Sequence, residues 1–159
     1  EFHRSSGRET HTILVTPQGR PFSQEKAREL SGKKAVLTLI CGRYEGFDER
    51  LRCLVDEEIS GGDFICMGGE VITMTMIETI SRLVPDVLGN QESAVHESFS
   101  QPMLEFPQYT RPASFEGMEV PEELKSGNHK IIAQWREEQA LERTKNRRPD
   151  LLQCKTKIK

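Results

Sequence analysis

The chain has 159 residues, of which 35% are hydrophobic and 30% are charged, and its formal net charge is −3. This length predicts one domain, or one domain with a small appendage, and the composition is typical of a globular protein with a modest core. No apolar run approaches the roughly 20 residues that cross a bilayer, so we expect no association with a membrane. The first ten residues are polar, and no signal peptide is visible in them. The scattered cysteines favour a cytoplasmic protein with reduced thiols.

The charge is unevenly distributed along the chain. Residues 130–159 hold nine Lys and Arg and four Asp and Glu, a net of +5, whereas the remaining residues carry a net of −8. A basic tail on an acidic body favours a nucleic-acid partner. A solvated helix face explains the same charges equally well, so charge alone leaves both interpretations open.

The cysteines and histidines show no metal-binding pattern. Cys41, Cys53, Cys66 and Cys154 form no C-x-x-C pair, and the four histidines lack the spacing of metal ligands. We therefore expect reduced thiols rather than disulfides, and no metal site.

The first half of the chain alternates between strand and helix patterns. Residues Thr10–Pro17, "THTILVTP", predict a buried strand that stops at the proline, and "QGRPF" predicts a turn. "SQEKARELSG" predicts a short helix with Ser23 as its N-cap and Gly32 as its C-terminal stop. "AVLTLIC" predicts the next strand. A strand, a helix and a strand in this order predict a parallel crossover.

Further along, helical patterns dominate. "DERLRCLVDEEIS" predicts a short helix, "DFICMGG" a third strand, and "EVITMTMIETISRLVP" an amphipathic helix closed by Pro85. Residues 86–127 lose periodicity and predict a linker with functional loops. "NHKIIAQWREEQALERTKNRRPDLL" then predicts a basic helix with an apolar stripe.

Each predicted strand ends near glycines, in "TPQGR", "CGRYEG" and "MGGEV". Glycine after a strand commonly marks a turn. In open α/β sheets, however, ligands bind at the carboxyl ends of the strands, so these three segments also predict a pocket. None matches the dinucleotide or triphosphate motifs, which favours a small ligand read mainly by backbone groups. Gly42 is expected to leave space for that ligand.

Several longer segments carry a family resemblance. These segments are "TPQGRPFSQEKARELS", "LICGRYEGFDERL", "VDEEISGGDFICMGGE", "SRLVPDVLGNQESA", "YTRPASFEGMEVPEELKSGNH" and "WREEQALERTKNRRPDLL". In their order, spacing and residue identities they resemble the bacterial tRNA (guanine-N1)-methyltransferases of the TrmD family. The resemblance runs from about Thr10 to Leu152. CGRYEGxDER and the YTRP…SGNH pair are its most specific parts.

The resemblance implies a SPOUT-type α/β fold, a trefoil-knotted parallel sheet followed by a small helical domain. It implies a homodimer that transfers the methyl group of S-adenosyl-L-methionine to N1 of the guanine 3′ of the tRNA anticodon. It divides the chain into a cofactor domain at residues 1–88, a flexible linker at 89–105 and a tRNA-binding domain at 106–159. Family members begin with a further strand, helix and glycine-rich loop, so we expect the knotted domain to be incomplete at its N-terminus.

The resemblance also assigns the site residues. The cofactor would meet three stretches: Val15, Thr16 and Pro17; Gly42, Tyr44 and Glu45; and Gly61, Gly62, Asp63, Phe64, Ile65, Cys66, Gly68 and Gly69. Its adenine would lie against the backbone of residues Gly61–Cys66. Arg82 would hold the target guanine and stabilise charge on its O6, and Glu97 would accept the proton of N1. The residues expected to contact tRNA are Ser93, Arg111, Asn128, His129, Arg136 and Arg143.

Glu97 departs from the family, which usually has Asp at this position. Glutamate is the same acid on a longer arm, and a misplacement of about 1 Å can cost roughly 10²-fold in rate. His96 is an alternative proton acceptor. Two other functions therefore stay open: a catalytically weak or inactive module that binds tRNA or S-adenosylmethionine, and a SPOUT methyltransferase with another RNA target.

Overall fold

The computed structural model describes residues 9–89 and 97–153. The chain divides into two compact units, residues 1–91 and 92–159. The first unit combines strands and helices, and the second is mainly helical.

The first unit is built on a parallel sheet of three strands. These are β1 (Thr10–Pro21), β2 (Val36–Cys41) and β3 (Glu57–Ser60), in the order β2-β1-β3. β1 is central and pairs in parallel with both neighbours. Ile13, Leu14 and Val15 are consequently buried in succession, as expected for a strand covered on both faces. The predicted parallel crossover from β1 to β2 is confirmed.

Two helices complete the core of this unit. α1 (Gln24–Ser31) begins at Ser23, whose hydroxyl accepts a hydrogen bond from the Lys26 amide, as its sequence predicts. α2 (Glu70–Ser81) follows Gly68 and Gly69 at the end of the loop after β3, and Arg82 is its C-cap residue. The buried side chains of the two helices pack with those of the sheet: Ile13, Val15, Ala27, Leu30, Ile59, Met76 and Ile80.

The third strand lies earlier than the sequence predicts. The apolar run "DFICMGG" forms a loop, in which Phe64, Ile65 and Met67 are 54%, 80% and 98% exposed. The strand is instead Glu57–Ser60, which starts with two acidic residues. These carboxylates can line a strand because they have cationic partners: Lys26 pairs with Glu57, and Arg52 pairs with Glu58.

The first strand also continues past the proline that was predicted to end it. β1 leaves its pairing with β3 after Val15 and resumes it at Arg20, with both residues opposite Ile59. The four residues between them, Thr16–Gly19, form a β-bulge. Proline is tolerated there because a bulged residue need not donate to the ladder. The predicted helix after Asp48 is present as a 3-10 helix, Glu49–Leu54, and it stops before β3.

The second unit is organised around one long helix. Two short strands, β4 (Ser114–Phe115) and β5 (Met118–Glu119), form a hairpin, and the one-turn helix α3 (Glu122–Lys125) follows. α4 (His129–Arg147) is the predicted basic helix, and α5 (Asp150–Gln153) is a final single turn. The predicted irregular stretch thus contains a hairpin, whose turn uses positive φ angles at Glu116 and Gly117.

In residues 9–89 and 97–153 there is no helix of the length and apolarity needed to span a membrane. Within the same ranges, His, Cys, Asp and Glu side chains form no group of three or more that could hold a metal ion.

Candidate functional site

The first unit contains a cavity of about 520 Å³ beside the carboxyl ends of β1 and β2 and the loop after β3. This volume is within the roughly 300–1,000 Å³ of small-molecule sites. Three segments supply most of its lining: residues Val15–Gln18 of β1, the loop that follows β2, and the loop between β3 and α2. The three glycine-bearing segments that the sequence predicts to converge therefore surround one cavity.

Most of the residues expected to contact a cofactor lie in the lining of this cavity. The lining includes Val15, Thr16, Pro17, Gly42, Tyr44, Glu45, Gly61, Gly62, Phe64, Ile65, Cys66, Gly68 and Gly69. Asp63 belongs to the expected set but does not line the cavity.

Backbone pairing joins the loop after β2 to the loop between β3 and α2. The amide of Gly69 donates a 2.9 Å hydrogen bond to the carbonyl of Gly42, and Arg43 forms an isolated antiparallel bridge with Gly68. An ion pair between Arg43 and Glu70 spans the same junction. These contacts fix the distance between two walls of the cavity.

The loop after β2 holds Tyr44 in an unusual backbone conformation. Its φ is +63°, in the left-handed region that few non-glycine residues adopt, and its side chain is 96% exposed. Gly46 follows with φ +117°, which permits the sharp return of the chain. An ordered loop with this backbone strain is a common feature of binding sites.

Gly42 has a close neighbour that the sequence does not predict. A Cβ atom there would lie 2.6 Å from the ring of Phe47, so the ring of this later loop residue covers the glycine. The absence of a side chain at Gly42 thus lets the ring of Phe47 pack against its backbone. The sequence does not show that the loop brings Phe47 back over Gly42, and the expected contact of Gly42 with the cofactor stays a prediction, because Gly42 still lines the cavity.

Charges in the lining are mostly paired. Arg43 holds the pKa of the Glu70 carboxyl below its usual value. Hydrogen bonds from the Arg52 guanidinium to Glu49 and Glu58 raise the pKa of Arg52. Among the described residues, Glu45 makes no ion pair, so its carboxylate is a negative charge on the wall of the cavity that no cation in this part of the chain pairs with.

Sequence reasoning missed several lining residues. They are Gln18, Arg43, Gly46, Phe47, Glu49, Arg52, Ser60, Met67 and Ile72. Ser60 is 1% exposed, and its hydroxyl bonds the backbone of Gly62, which closes the turn after β3. Its position next to Gly61, an expected cofactor contact, could have predicted that Ser60 lines the cavity. Nothing in the sequence marked Arg52, which enters the lining from the 3-10 helix.

The two expected catalytic residues lie in different units. Arg82 follows the last residue of α2, and its amide donates to the carbonyl of Glu78; it does not line the cavity. Glu97 lines a separate cavity of about 430 Å³ in the second unit, together with Arg136 and Glu137 of α4. The Glu97 carbonyl accepts hydrogen bonds from the amide and hydroxyl of Ser100. His96 lies outside the described residues.

The residues expected to contact tRNA are spread over the second unit. Asn128 is the N-cap of α4, because its side-chain oxygen accepts from the Lys130 amide, and His129 is the first residue of that helix. The guanidinium carbon of Arg136 lies 4.6 Å from the ring centroid of Phe106.

Arg111, which precedes a cis proline, lines a third cavity together with Arg136. Arg143 is half-buried on α4. Ser93 lies outside the described residues.

Comparison with known proteins identifies the family. A sequence profile for tRNA (guanine-1)-methyltransferase TrmD matches residues 2–154. A tRNA (guanine-N(1)-)-methyltransferase from Syntrophotalea carbinolica is 58% identical over 144 residues, which cover 91% of this chain and 58% of that protein.

Two further tRNA (guanine-N(1)-)-methyltransferases are similar. The one from Staphylococcus haemolyticus is 59% identical over 145 residues, covering 91% of this chain and 59% of that protein. The one from Geobacillus kaustophilus is 56% identical over 141 residues, covering 88% and 57%. The chain spans less than two thirds of the length of these relatives. It belongs to the tRNA (guanine-1)-methyltransferase TrmD family.

Proposed function

We propose that this chain binds S-adenosyl-L-methionine in the cavity of its first unit and takes part in methyl transfer to N1 of the guanine 3′ of the tRNA anticodon. The observation that carries the proposal is the convergence of three glycine-bearing segments on one cavity of suitable size. The family profile and relatives named as tRNA (guanine-N(1)-)-methyltransferases support the same reaction.

The lining suits S-adenosyl-L-methionine in chemistry as well as in volume. Backbone groups of the Gly61–Cys66 stretch offer donors and acceptors to an adenine edge, and Phe64, Ile65 and Ile72 offer apolar contact. The Glu45 carboxylate offers negative charge to a ligand that carries a sulfonium and an ammonium group. When bound, this ligand supplies an electrophilic methyl group.

The proposed chemistry needs two protein groups at the guanine. As N1 attacks the methyl carbon, an N–C bond forms, the S–C bond breaks, and the N1 proton must leave. Glu97 accepts that proton. General-base catalysis of this kind typically accelerates a reaction by about 10²–10⁴-fold. The Arg82 guanidinium donates to O6, where negative charge develops. S-adenosylhomocysteine is the other product.

The second unit is the proposed tRNA-binding part. Its helix α4 ends with Lys145 and Arg147, and Arg111, Asn128, His129, Arg136 and Arg143 lie along the same unit. Phosphate contacts by such cations supply most of the affinity for nucleic acid. We assign residues 1–88 to cofactor binding, 89–105 including Ser93 to a linker, and 106–159 to tRNA binding.

The proposed assembly is a homodimer of SPOUT-type, knotted cofactor domains in the cytoplasm. The face of α2 that carries Val71, Met74 and Ile77 supports this proposal, because these side chains are 66%, 69% and 48% exposed. An apolar helix face of this kind is commonly covered by a partner. A second copy of the chain is the proposed partner.

Titration with S-adenosylhomocysteine tests the cofactor site. We expect saturable heat and an increase in melting temperature, and no binding at millimolar ligand would overturn the proposal. A second arm measures methyl transfer to two tRNAs that differ only in guanine or adenine 3′ of the anticodon. Transfer to the guanine form alone supports the reaction; cofactor binding without transfer favours the inactive module, and transfer to both favours another target.

A further inference from the structure

One side chain, Arg52, connects three segments around the cavity. Its Nε lies 2.9 Å from the Glu49 carboxylate in the same 3-10 helix. Nη1 donates to the Glu58 carboxylate of β3, and Nη2 donates to the side-chain oxygen of Gln18 in the bulge of β1. Arg52 is only 25% exposed. All three guanidinium nitrogens are therefore engaged, each with a different partner.

In the part of the chain that the structure describes, the bulge that contains Gln18 has few other fixed contacts. Residues Thr16–Gly19 lie outside the pairing of β1 with β3. Within the bulge, the Gln18 amide reaches the Thr16 hydroxyl only at 3.5 Å, which is long for a hydrogen bond. Gly19 lies close to the Glu58–Ile59 backbone, where an added Cβ would be 2.5 Å from backbone atoms. The bulge thus packs against β3 at Gly19, and Arg52 holds the Gln18 side chain by a hydrogen bond.

We propose that Arg52 is a positioning residue for the cofactor cavity, which holds Gln18 and thereby keeps the Thr16–Gly19 bulge in its ligand-facing conformation. The inference rests on the proposed function. A wall that is already ordered before binding loses less conformational entropy when the ligand arrives, so the expected effect is on affinity. Arginine suits this role because its planar fork reaches two acceptors on different segments at once, which a lysine ammonium does less well.

The test compares variants of the full chain. Arg52→Met should raise the Kd for S-adenosylhomocysteine, measured by calorimetry, and the KM for S-adenosylmethionine by roughly tenfold. We expect kcat and the KM for tRNA to change by less than about threefold. Arg52→Lys should recover part of the loss. Arg50→Met is the matched control, because Arg50 is 90% exposed and pairs with Asp48 of the adjoining loop.

Gln18→Leu tests whether the effect of Arg52 passes through Gln18, because it leaves the ion pairs of Arg52 intact. We expect it to weaken binding in the same direction, and the double variant Gln18→Leu with Arg52→Met to be no weaker than Arg52→Met alone. If Gln18→Leu binds normally while Arg52→Met does not, Arg52 does not act through Gln18 and the proposal is overturned. Unchanged affinity in Arg52→Met overturns it as well.

Hydrogen exchange provides a readout without any ligand. The backbone amides of Thr16, Gln18 and Gly19 should exchange about tenfold faster in Arg52→Met and in Gln18→Leu than in the wild type or in Arg50→Met. Equal exchange in all four proteins would contradict the inference. A wild type that shows the protected bulge but does not bind S-adenosylhomocysteine would overturn the proposed function while leaving the positioning contact supported.

Discussion

The backbone amide of Gly69 donates a 2.9 Å hydrogen bond to the carbonyl oxygen of Gly42, and this contact joins two walls of the cavity. Gly69 also lies against the end of β2. A Cβ atom on Gly69 would lie 2.9 Å from the Cβ and 3.3 Å from the Cα of Cys41. Cys41 is paired in the central sheet and cannot withdraw without disturbing it. The close approach of the two walls therefore requires glycine at residue 69.

Gly69→Ala should weaken cofactor binding. Overpacking at a tight contact costs about 1–3 kcal/mol, and about 1.4 kcal/mol corresponds to a tenfold change in Kd. We therefore expect the Kd for S-adenosylhomocysteine to rise by about tenfold, measured by calorimetry. Gly89→Ala is the control, because a Cβ there meets nothing within 4 Å. A Gly69→Ala protein with wild-type affinity would show that the two walls are not held at this point.

Glu97→Gln should remove most of the methyl transfer activity. The amide keeps the size of the side chain but cannot accept the N1 proton, so we expect kcat to fall by about 10²–10⁴-fold. Glu97→Asp restores a carboxylate on a shorter arm and should retain more activity than Glu97→Gln. Single-turnover methylation of tRNA is the measurement.

Glu138→Gln is the control for Glu97, because Glu138 is exposed on α4 and bonds only Gln134 among the described residues. Full activity in Glu97→Gln would exclude Glu97 as the base.

Local patterns predicted much of the fold, and long-range contacts explain the rest. The cap at Ser23 and the apolar periodicity of α2 depend on neighbouring residues, so these helices were predictable. β3 was missed because Glu57 and Glu58 look unlike a strand until their partners Lys26 and Arg52 are brought beside them. The exposed loop after β3 was predicted as the strand because its apolar side chains suggested burial.

The candidate site, like the fold, has a part that the sequence predicts and a part that it does not. The glycines at strand ends and the family motifs indicated the three lining segments, because their positions are set by chain order. The contact of Phe47 with Gly42 and the entry of Arg52 depend on how a loop and a 3-10 helix fold back. Neither contact leaves a periodic signal in the sequence.

Met74→Lys should disrupt the proposed homodimer. Met74 lies between Val71 and Ile77 on the exposed apolar face of α2, and a buried lysine without a partner is costly. We expect the sedimentation coefficient to shift from dimer to monomer. Met118→Lys makes the same exchange at a 64% exposed position in the hairpin and should not alter the sedimentation. A wild type that sediments as a monomer at every concentration would contradict a dimer through this face.

Stability should decline in acid through Glu57. Its carboxylate accepts from His11 Nε2 and pairs with Lys26 Nζ, both at 2.6 Å. Burial raises the pKa of Glu57, but the hydrogen bonds from Lys26 and His11 outweigh it and hold the pKa below its ordinary value. A carboxyl with a depressed pKa stabilises the fold above its ordinary pKa of about 4.3, and this contribution is lost as the pH falls through the folded-state pKa.

Glu57→Gln should therefore flatten the acid side of the stability curve. We expect the free energy of unfolding at pH 7 to fall by about 1 kcal/mol, a modest value because water partly screens the pair. Urea titrations between about pH 3 and pH 7 measure both effects. Glu25→Gln, at an exposed position in the first turn of α1, should keep the wild-type pH dependence. An equally steep acid slope in Glu57→Gln would assign that slope to other carboxyl groups.

Thr144→Val should destabilise the second unit. The Thr144 side chain is fully buried on α4, and its hydroxyl accepts a 2.9 Å hydrogen bond from the Leu104 amide while donating to the Ala140 carbonyl at 2.6 Å. Valine has nearly the same shape but leaves the Leu104 amide without this acceptor, which costs about 1–3 kcal/mol. Thr144→Ser keeps the hydroxyl and loses one methyl group, worth about 0.8 kcal/mol.

The fluorescence of Trp135 reports this change selectively, because it is the only tryptophan of the chain and lies on α4. We expect its urea transition to move to lower concentration in Thr144→Val, and by less in Thr144→Ser. Equal midpoints for Thr144→Val and the wild type would mean that the Leu104 amide finds water or another acceptor. In that case the hydroxyl of Thr144 would not be what holds residue 104 on α4.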